Sequence, residues 1–319
     1  MAAREPLSGM HGRSLQHRRL RSVLEGARTR LWHPEPTSQI WGVGGVSQVV
    51  GMQVDRLSKP FIVRCSMGKI SAIYRFPVKG MTGESLESVP LEAGRMLPSD
   101  RRFGILHGAA ARRAEAGDRD WKAKANFLQL AQAEKLAQLE ARFDDESEIL
   151  QIWRKGRNVA SGKLTDVNGR TVLEQFFAAF MTKESRGQPR IVESGDQPYS
   201  DVKVPFVSII NLESVRDLER VVGQPVDPLR FRGNLLIEGV PAWEEFTWVG
   251  KTVKIGAAEI RVAERIGRCP ATNVDPATAQ RDLTIPRDLQ NGFGHTDCGI
   301  YVDVTGSGTI SVGDGITVL

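Results

Sequence analysis

Hydrophobic and polar residues alternate along much of the chain with the two-residue period of β-strands. In the first half, this alternation predicts strands at residues 70–76, 85–91, 102–106 and 149–153. In the second half, the predicted strands are residues 206–210, 235–237, 252–255, 259–266, 300–304 and 309–312. Many short strands joined by glycine-containing turns are typical of a closed or nearly closed barrel. The pattern therefore predicts a mainly β (α+β) fold with a few flanking helices.

Helical spacing is limited to three stretches. Residues 131–142 consist of good helix formers. A second helix is predicted after Thr171, which forms a capping-box pair with Glu174 and precedes phenylalanines at helical spacing. A third helix is predicted to begin after Asn211 as its N-cap and to end at Gly223.

Charge is distributed unevenly between the N-terminal stretch and the rest of the chain. The 319 residues carry a net charge of +5, but residues 1–66 contain ten basic and four acidic side chains. The remainder has 33 basic and 34 acidic side chains, which argues against a nucleic-acid-binding protein. We predict a poorly ordered extension at 1–66 and domains at 67–195 and 196–319. An organellar transit peptide is the alternative interpretation of the arginine-rich start.

Cysteine content and hydropathy exclude several classes of protein. Cys65, Cys269 and Cys298 are too few for a disulfide framework or for an ordinary iron–sulfur cluster. No run of 18 apolar residues is present, so no membrane span is predicted. The expected location is cytoplasmic, or organellar if the N-terminus is a transit peptide.

The segment from 265 to 299 is the candidate site-bearing loop. It contains Cys269 between Arg268 and Pro270, and its prolines and glycines argue against one long regular element. Arg268 would favour the thiolate of Cys269, and the thiolate is the form that acts as a nucleophile or metal ligand. The alternative from the residues alone is a buried cysteine packed as a small hydrophobe.

A second cysteine in this segment belongs to an H-x-x-C pattern formed by His295 and Cys298. Together with Cys269 these residues would give a zinc site, but a closed structural site needs four ligands at a more familiar spacing. We therefore expect Cys298 to be a packed thiol. A cysteine hydrolase that uses Cys269 and His295 remains an alternative.

Two motifs resemble a known family. RCPATNVDPATAQRDLTIPRDL, followed by GHTDCGIYVDVTGSGTISVGD, resembles the signature of the MOSC domain, the C-terminal domain of molybdenum cofactor sulfurase. IYRFPVKGMTGESLESVPLEAG resembles the β-barrel domain that precedes MOSC in the amidoxime-reducing components. The resemblance covers residues 67–319. It implies an N-terminal β-barrel-like domain followed by a MOSC β-barrel domain.

The resemblance implies a set of site residues. Cys269 would ligate molybdenum in a pterin cofactor, and Asp201 would be an acid close to the metal. Gly80 stands where mammalian relatives have serine, so it offers a backbone N–H but no hydroxyl. The expected cofactor-binding residues are Lys79, Gly80, Arg102, Lys124, Arg232, Asn234 and Arg268.

The resemblance implies that Arg102 faces the cofactor. On a strand, its neighbour Arg101 would then point the opposite way. Arg230, Arg232 and Asn234 would share one face of a strand.

The function implied by the resemblance is removal of oxygen from an N-hydroxylated small molecule, with molybdenum cycling between Mo(VI) and Mo(IV). At the level of the family alone, it also implies pyridoxal phosphate binding. A non-catalytic carrier or sulfur-transfer module for the cofactor is the alternative. No glycine-rich loop between a strand and a helix suggests flavin or nicotinamide binding, so a separate reductase or ferredoxin-type partner is expected to donate electrons.

Overall fold

The computed structural model describes residues 67–114, 124–195 and 197–319, and the predictions for residues 1–66 lie outside this part. Its strands are β1 (Gly68–Arg75), β2 (Glu84–Leu86), β3 (Ser88–Leu91), β4 (Phe103–Leu106), β5 (Glu140–Asp144), β6 (Ile149–Arg154), β7 (Arg157–Lys163), β8 (Arg190–Glu193), β9 (Val207–Asn211), β10 (Leu235–Glu238), β11 (Thr252–Ile255), β12 (Ala258–Gly267), β13 (Asp297–Gly306), β14 (Gly308–Ser311) and β15 (Gly315–Val318). Its α-helices are α1 (Gly108–Ala114), α2 (Val167–Phe180), α3 (Leu212–Val222) and α4 (Ile285–Phe293). Short 3-10 helices lie at Lys124–Asn126, Glu134–Gln138, Pro228–Phe231, Glu244–Trp248 and Pro270–Asn273.

Seven strands close into a barrel. Their order is β10-β9-β13-β12-β11-β15-β1, and β1 also pairs with β10 to complete the ring. The β9–β10 pair is parallel, and the other pairs within the ring are antiparallel. Inward-facing aliphatic side chains such as Ile73, Ile237 and Val302 fill the interior and exclude water. The predicted mainly β fold with a barrel is confirmed, and the barrel recruits β1 from the start of the described chain.

A smaller β-rich unit precedes most of the barrel. Strands β5, β6 and β7 form an antiparallel sheet, and β4 pairs with β8. Helix α2 packs against β7 at Gly169 and Gly162, where a Cβ on Gly162 would lie 2.2 Å from the Gly169 carbonyl oxygen. This contact needs glycine because the two backbones approach too closely for a side chain. A second apolar core that includes Leu150 and Phe177 lies beneath the helix.

Helix α3 has the predicted ends. The side chain of Asn211 accepts a hydrogen bond from the Glu213 amide at 3.1 Å, and Gly223 ends the helix in the left-handed conformation at φ 80°. Both signals are local, so the tertiary structure did not override them.

Two helix predictions are partly wrong. Residues 131–142 form a 3-10 turn followed by β5, because pairing with β6 outweighs the helix propensity of this stretch. Helix α2 begins four residues before Thr171, with Asp166 as its N-cap. Glu174 does not cap the helix, because its buried carboxylate accepts the Ile191 amide proton at 2.8 Å.

Candidate functional site

A cavity of about 470 Å³ lies where the small β-rich unit meets the barrel. Eight of the nine predicted site residues line it: Lys79, Gly80, Lys124, Asp201, Arg232, Asn234, Arg268 and Cys269. These residues come from turns and strand ends that are distant in sequence. The fold therefore brings the predicted residues to one place, where a polar ligand would be surrounded by side chains.

Cys269 is placed by the end of strand β12. Its backbone is extended, and the 3-10 turn Pro270–Asn273 begins immediately after it. The carbonyl of Cys269 accepts hydrogen bonds from the Thr272 amide at 3.1 Å and from the Thr272 hydroxyl at 2.9 Å. Its partly exposed sulfur lies 3.2 Å from the Lys124 ammonium. The thiol therefore faces the cavity directly beside a cation.

Arg268 braces the cysteine from within the barrel. Its guanidinium donates to the Cys298 carbonyl at 2.7 Å and to the Phe231 carbonyl at 3.0 Å, and burial lowers its pKa. Because these donors are directed at backbone carbonyls, the chief role of Arg268 is to hold the backbone of the cavity wall in place.

Arg281 braces the same loop from outside. One guanidinium nitrogen donates to the Pro270 carbonyl at 2.9 Å, and another donates to the Leu130 carbonyl at 2.6 Å. Its Nε lies 3.4 Å from the Glu134 carboxylate. The residue after Cys269 is thus tied to Leu130, which lines the cavity.

Arg230 braces the far end of the turn. It makes a bidentate ion pair with Asp282 at 2.8 Å for both contacts, pairs with Asp275 at 3.0 Å, and donates to the Asn273 carbonyl at 3.2 Å. Bidentate pairing of a nearly fully buried guanidinium fixes its orientation as well as its charge.

Asp201 links two lysines across the cavity. The Lys79 ammonium contacts one carboxylate oxygen at 2.6 Å and donates to the Tyr199 carbonyl at 2.9 Å. The Lys124 ammonium contacts the other carboxylate oxygen. A continuous charged chain therefore runs from Lys79 through Asp201 to Lys124 and reaches Cys269.

The protonation states in this chain follow from the pairing. Burial alone would raise the pKa of Asp201, but the two lysines hold it well below its ordinary value. Burial lowers the pKa of Lys79, and Asp201 opposes that effect only in part. For Lys124, attraction to Asp201 and Cys269 outweighs burial and raises the pKa. Asp201 is therefore ionised near neutral pH.

Arg102 is the predicted residue that does not reach the cavity. Its guanidinium pairs with Glu193 and Glu148, each at 2.8 Å, while Arg101 lines the cavity instead. The expectation that Arg101 would point away from the site was wrong, because β4 begins only at Phe103. Arg101 lies in the preceding turn with φ 51°, so the two-residue period does not apply to it.

Arg101 and Arg232 form a cationic pair above one aromatic ring. Their guanidinium carbons lie 4.7 and 4.4 Å from the centroid of the Phe76 ring, and Arg101 donates to the Arg232 carbonyl at 2.9 Å. Arg101 is neutralised by Asp100. Burial, together with the nearby charge of Arg101, lowers the pKa of Arg232 to about 9. Arg232 therefore remains charged at neutral pH without a carboxylate partner of its own among the described ion pairs.

The segment around Arg232 is not the predicted strand. Residues Pro228–Phe231 form a 3-10 helix, Arg232 has φ 53°, and β10 starts at Leu235. Arg230 and Asn234 still line the cavity with Arg232, because the left-handed residue redirects the chain. Asn234 is fully buried and its amide oxygen accepts from the Ser208 hydroxyl at 2.8 Å, which joins β9 to this turn.

The cavity wall is strongly cationic. Its lining includes seven basic side chains and only two carboxylates. The basic residues are Lys79, Arg101, Lys124, Arg230, Arg232, Arg265 and Arg268, and the acidic ones are Asp201 and Glu264. Such a wall suits an anionic ligand with several hydrogen-bond acceptors.

His295 and Cys298 lie apart from the cavity lining. The His295 ring contacts Trp243, Phe246 and Phe293, and its Nδ1 accepts the Asp297 amide proton at 3.1 Å. Cys298 is fully buried in an apolar cluster, where burial raises its pKa to about 12. Its expected role as a packed thiol is confirmed, and the structure does not place His295 beside Cys269 on the cavity wall.

Sequence reasoning did not assign several residues to the site, and Arg101, Gln129 and Arg281 are three of them. Arg101 was not assigned to the site because the strand that is β4 was expected to begin before Phe103. Gln129 belongs to neither quoted motif, and Arg281 lies within the RCPATNVDPATAQRDLTIPRDL motif but was assigned no role, because only the folded chain shows what these two side chains contact. Among the described residues, no group of three or more histidine, cysteine, aspartate or glutamate side chains is arranged to hold a metal ion. No helix of that part is long and apolar enough to cross a membrane.

Comparison with known proteins gives two domain matches. The model of the MOSC N-terminal beta barrel domain matches residues 67–187, and that of the MOSC domain matches residues 204–317. Both matched segments contribute residues to the cavity, including Lys79 from the first and Cys269 from the second. The matches agree with the resemblance seen in the two sequence motifs.

Several curated proteins are similar to this chain. Mitochondrial amidoxime reducing component 2 of Bos taurus is 24% identical over 294 residues, which cover 78% of this chain and 82% of the relative. Mitochondrial amidoxime-reducing component 1 of Mus musculus is 29% identical and covers 43% of each chain. Molybdenum cofactor sulfurase of Anopheles gambiae is 30% identical over 138 residues, which cover 40% of this chain but only 18% of the sulfurase.

Among solved structures, the YUAD protein from Bacillus subtilis aligns with 79% of this chain and 94% of its own. Its sequence identity is 13% and its TM-score is 0.37. This likeness is too distant to support an argument about the site.

Proposed function

The chain belongs to the family that joins a MOSC N-terminal beta barrel domain to a MOSC domain, and on that premise we propose that it is a molybdenum-cofactor-dependent oxidoreductase. Its substrate would be an N-hydroxylated or related N-oxygenated small molecule. The observation that carries the proposal is the arrangement of Cys269 on a strongly cationic cavity wall, next to Lys124 and Asp201. This arrangement joins a soft ligand for a metal to donors for an anionic cofactor.

The residues present fit a phosphorylated pterin cofactor. The phosphate requires cationic donors, and Lys79, Arg101 and Arg232 provide them on one cavity wall. The polar pterin edge also requires acceptors, and Asp201 and Glu264 bring carboxylates to the cavity lining. Cys269 would hold the metal. When bound, the group would supply two-electron oxidation and reduction at a thiolate-ligated metal.

The protein's own residues would control charge and protons around the substrate. Reduction of an N-hydroxy compound to an amine and water consumes two electrons and two protons. Lys124 touches both Cys269 and Asp201, so it would orient the thiolate while Asp201 keeps a fixed negative charge beside it. Lys79 binds the other carboxylate oxygen of Asp201 and so fixes the position of this side chain in the cavity. A separate reductase or ferredoxin-type protein would provide the electrons through a small, transient contact.

The proposal does not extend to pyridoxal phosphate. A lysine that forms a Schiff base needs a free amine, whereas the ammonium of Lys79 is engaged by Asp201 and the Tyr199 carbonyl.

A cofactor carrier is the second candidate, favoured by the similarity to molybdenum cofactor sulfurases. The Caenorhabditis elegans sulfurase is 35% identical over 106 residues, although these are only 14% of its length. A carrier and an enzyme would hold the cofactor with the same residues. Turnover of a hydroxylamine-type substrate with an artificial electron donor distinguishes them, because a carrier binds the cofactor without catalysis.

The central test is the metal content of two cysteine variants. Cys269→Ser removes the cavity thiol, so we expect loss of molybdenum and of reductase activity with the fold retained. Cys298→Ala is the matched control, because this thiol is buried outside the cavity lining. Metal is measured by mass spectrometry and pterin by fluorescence after oxidation. Full molybdenum content in Cys269→Ser, or equal loss in Cys298→Ala, would contradict the assignment.

A further inference from the structure

Tyr301 brings to the cavity wall a hydroxyl group that the fold leaves unpaired. Its half-buried side chain lines the cavity, and the hydroxyl has no hydrogen-bond partner in the described part of the chain. The hydroxyl is not one of the fully enclosed polar atoms of that part, so a ligand in the cavity can reach it. A polar group that is accessible from a cavity and unpaired in the protein is available to orient a ligand.

Strand β13 and its neighbours hold this side chain against the cavity. The residues on either side of Tyr301 are fully buried in the barrel core, so the tyrosine side chain projects outward from the barrel. In the register of the sheet, Tyr301 lies between Ser208 of β9 and Glu264 of β12, which also line the cavity. Its ring stacks on Phe206 with the centroids 5.7 Å apart. The orientation of the hydroxyl is therefore fixed by two strands and one aromatic contact.

The charges that act on the hydroxyl belong to the residues around the thiol. Burial raises the pKa of Tyr301, and four charged side chains of the cavity wall act on it as well. These side chains are Arg268, Asp201, Arg101 and Lys124. Arg268 precedes Cys269 in the chain, and the Lys124 ammonium lies 3.2 Å from the Cys269 sulfur. Tyr301 stays protonated at neutral pH, so its hydroxyl can donate a hydrogen bond.

The charged donors near the thiol are engaged with the protein itself. Lys79 and Lys124 are bound to Asp201, and Arg268 donates to backbone carbonyls. Tyr301 differs from them, because its hydroxyl is neutral and has no such partner in the described chain. A neutral donor suits the oxygen of an N-hydroxylated substrate, which gains negative charge as the N–O bond weakens and leaves as water.

We propose that the Tyr301 hydroxyl donates a hydrogen bond to the oxygen of the substrate N–O group. This inference rests on the proposed function, because it assumes that an N-oxygenated substrate enters the cavity. An oxygen atom of the cofactor offers the same acceptor chemistry, and the experiment separates these two sources.

The first measurement is the affinity for substrate in the absence of electrons. Without an electron donor, the cofactor-loaded protein binds acetamidoxime without turnover, so calorimetry gives the dissociation constant. Tyr301→Phe removes only the hydroxyl, and we expect it to weaken the binding of acetamidoxime about tenfold. The binding of acetamidine, the product that lacks the oxygen, should not change. Tyr74→Phe is the matched control, because Tyr74 lies on β1 outside the cavity lining and should leave both affinities unaltered.

The second measurement compares turnover with cofactor content. With an artificial electron donor, Tyr301→Phe should lower kcat/KM for acetamidoxime about tenfold, while the molybdenum and pterin content stay at the wild-type level. Loss of molybdenum or pterin from this variant would overturn the proposal and assign the hydroxyl to the cofactor. Equal losses of affinity for acetamidoxime and acetamidine would overturn it in favour of a purely structural role.

Two further outcomes separate this inference from the proposed function. A wild type that binds and reduces acetamidoxime, with Tyr301→Phe unchanged in affinity and kcat/KM, would overturn the role of Tyr301 alone. A wild type without molybdenum, or without affinity for acetamidoxime, would refute the proposed function itself and with it this inference.

Discussion

Removing Arg281 should loosen the loop that presents Cys269. This guanidinium donates to the Pro270 and Leu130 carbonyls and pairs with Glu134 at 3.4 Å. It ties Pro270, the residue next to the thiol, to Leu130 in the cavity lining. Arg281→Met keeps much of the apolar stem and removes these polar contacts.

The expected loss can be worked out from those contacts. A hydrogen bond from a charged donor contributes about 1.5–3 kcal/mol when buried, but water can replace a donor that is partly exposed. The Arg281 side chain is 31% exposed, so we assign about 1 kcal/mol to each carbonyl contact and little to the ion pair. The total of about 2 kcal/mol corresponds to a fall of about 4–8 °C in melting temperature for a domain of this size.

The assay uses cofactor-free protein, because a bound ligand would shift the melting temperature on its own. Arg287→Met is the matched control, since Arg287 is exposed and its guanidinium donates only to the Thr284 hydroxyl among its described contacts. The alkylation rate of Cys269, measured with Cys65 replaced by serine, reports on the loop itself, because Cys298 is buried. A melting temperature within about 1 °C of the wild type, with unchanged alkylation, would refute the bracing role.

Two further predictions concern backbone strain and pH. Gly80 has φ 85° and a Cβ there would lie 2.8 Å from the Leu128 carbonyl oxygen, so Gly80→Ala should destabilise the chain by about 1–3 kcal/mol and weaken pterin retention. Gly94→Ala shares the positive φ without any neighbour within 4 Å, and an equal loss in both by chemical denaturation would refute the steric argument. Burial raises the pKa of Glu245 above its ordinary 4.5, against hydrogen bonds from Asn211 and Ser214, so ionisation of this carboxyl disfavours the native state. The native chain should therefore lose stability relative to Glu245→Gln as the pH rises above about 4.5 toward the raised pKa of the native state, and a pH-independent difference in unfolding free energy would contradict this.

Elements with strong local signals were predictable from the sequence. Helix α3 has a side-chain cap at Asn211 and a left-handed glycine at its end, and strand β11 was predicted at its observed bounds. The helix prediction for residues 131–142 failed, because strand pairing outweighs their helix-forming composition. Strand β5, which covers the end of this stretch, forms its hydrogen bonds with β6. Propensity describes the isolated segment, and the partner strand is not visible in it.

Site residues that belong to a sequence motif were predictable. Site residues whose position depends on the local path of the backbone were not. Cys269 and Lys79 lie in recognisable turns, and both reach the cavity. The choice between Arg101 and Arg102 depended on where β4 starts, and a positive φ at Arg101 reversed the expected alternation. Gln129 has no sequence signal, because an unpaired buried acceptor is a property of the folded chain alone.

The cationic character of the cavity follows partly from its construction. Arg268 and Arg230 direct their donors at carbonyls and carboxylates around the cysteine loop, so they shape the site more than they bind a ligand. Their charges nevertheless remain in the cavity wall and raise its potential. Arg232, which lacks a carboxylate partner among the described ion pairs, is left with more of its charge available to an anion. Replacing Arg232 should therefore weaken cofactor binding with little effect on Cys269 alkylation, whereas replacing Arg268 should change both.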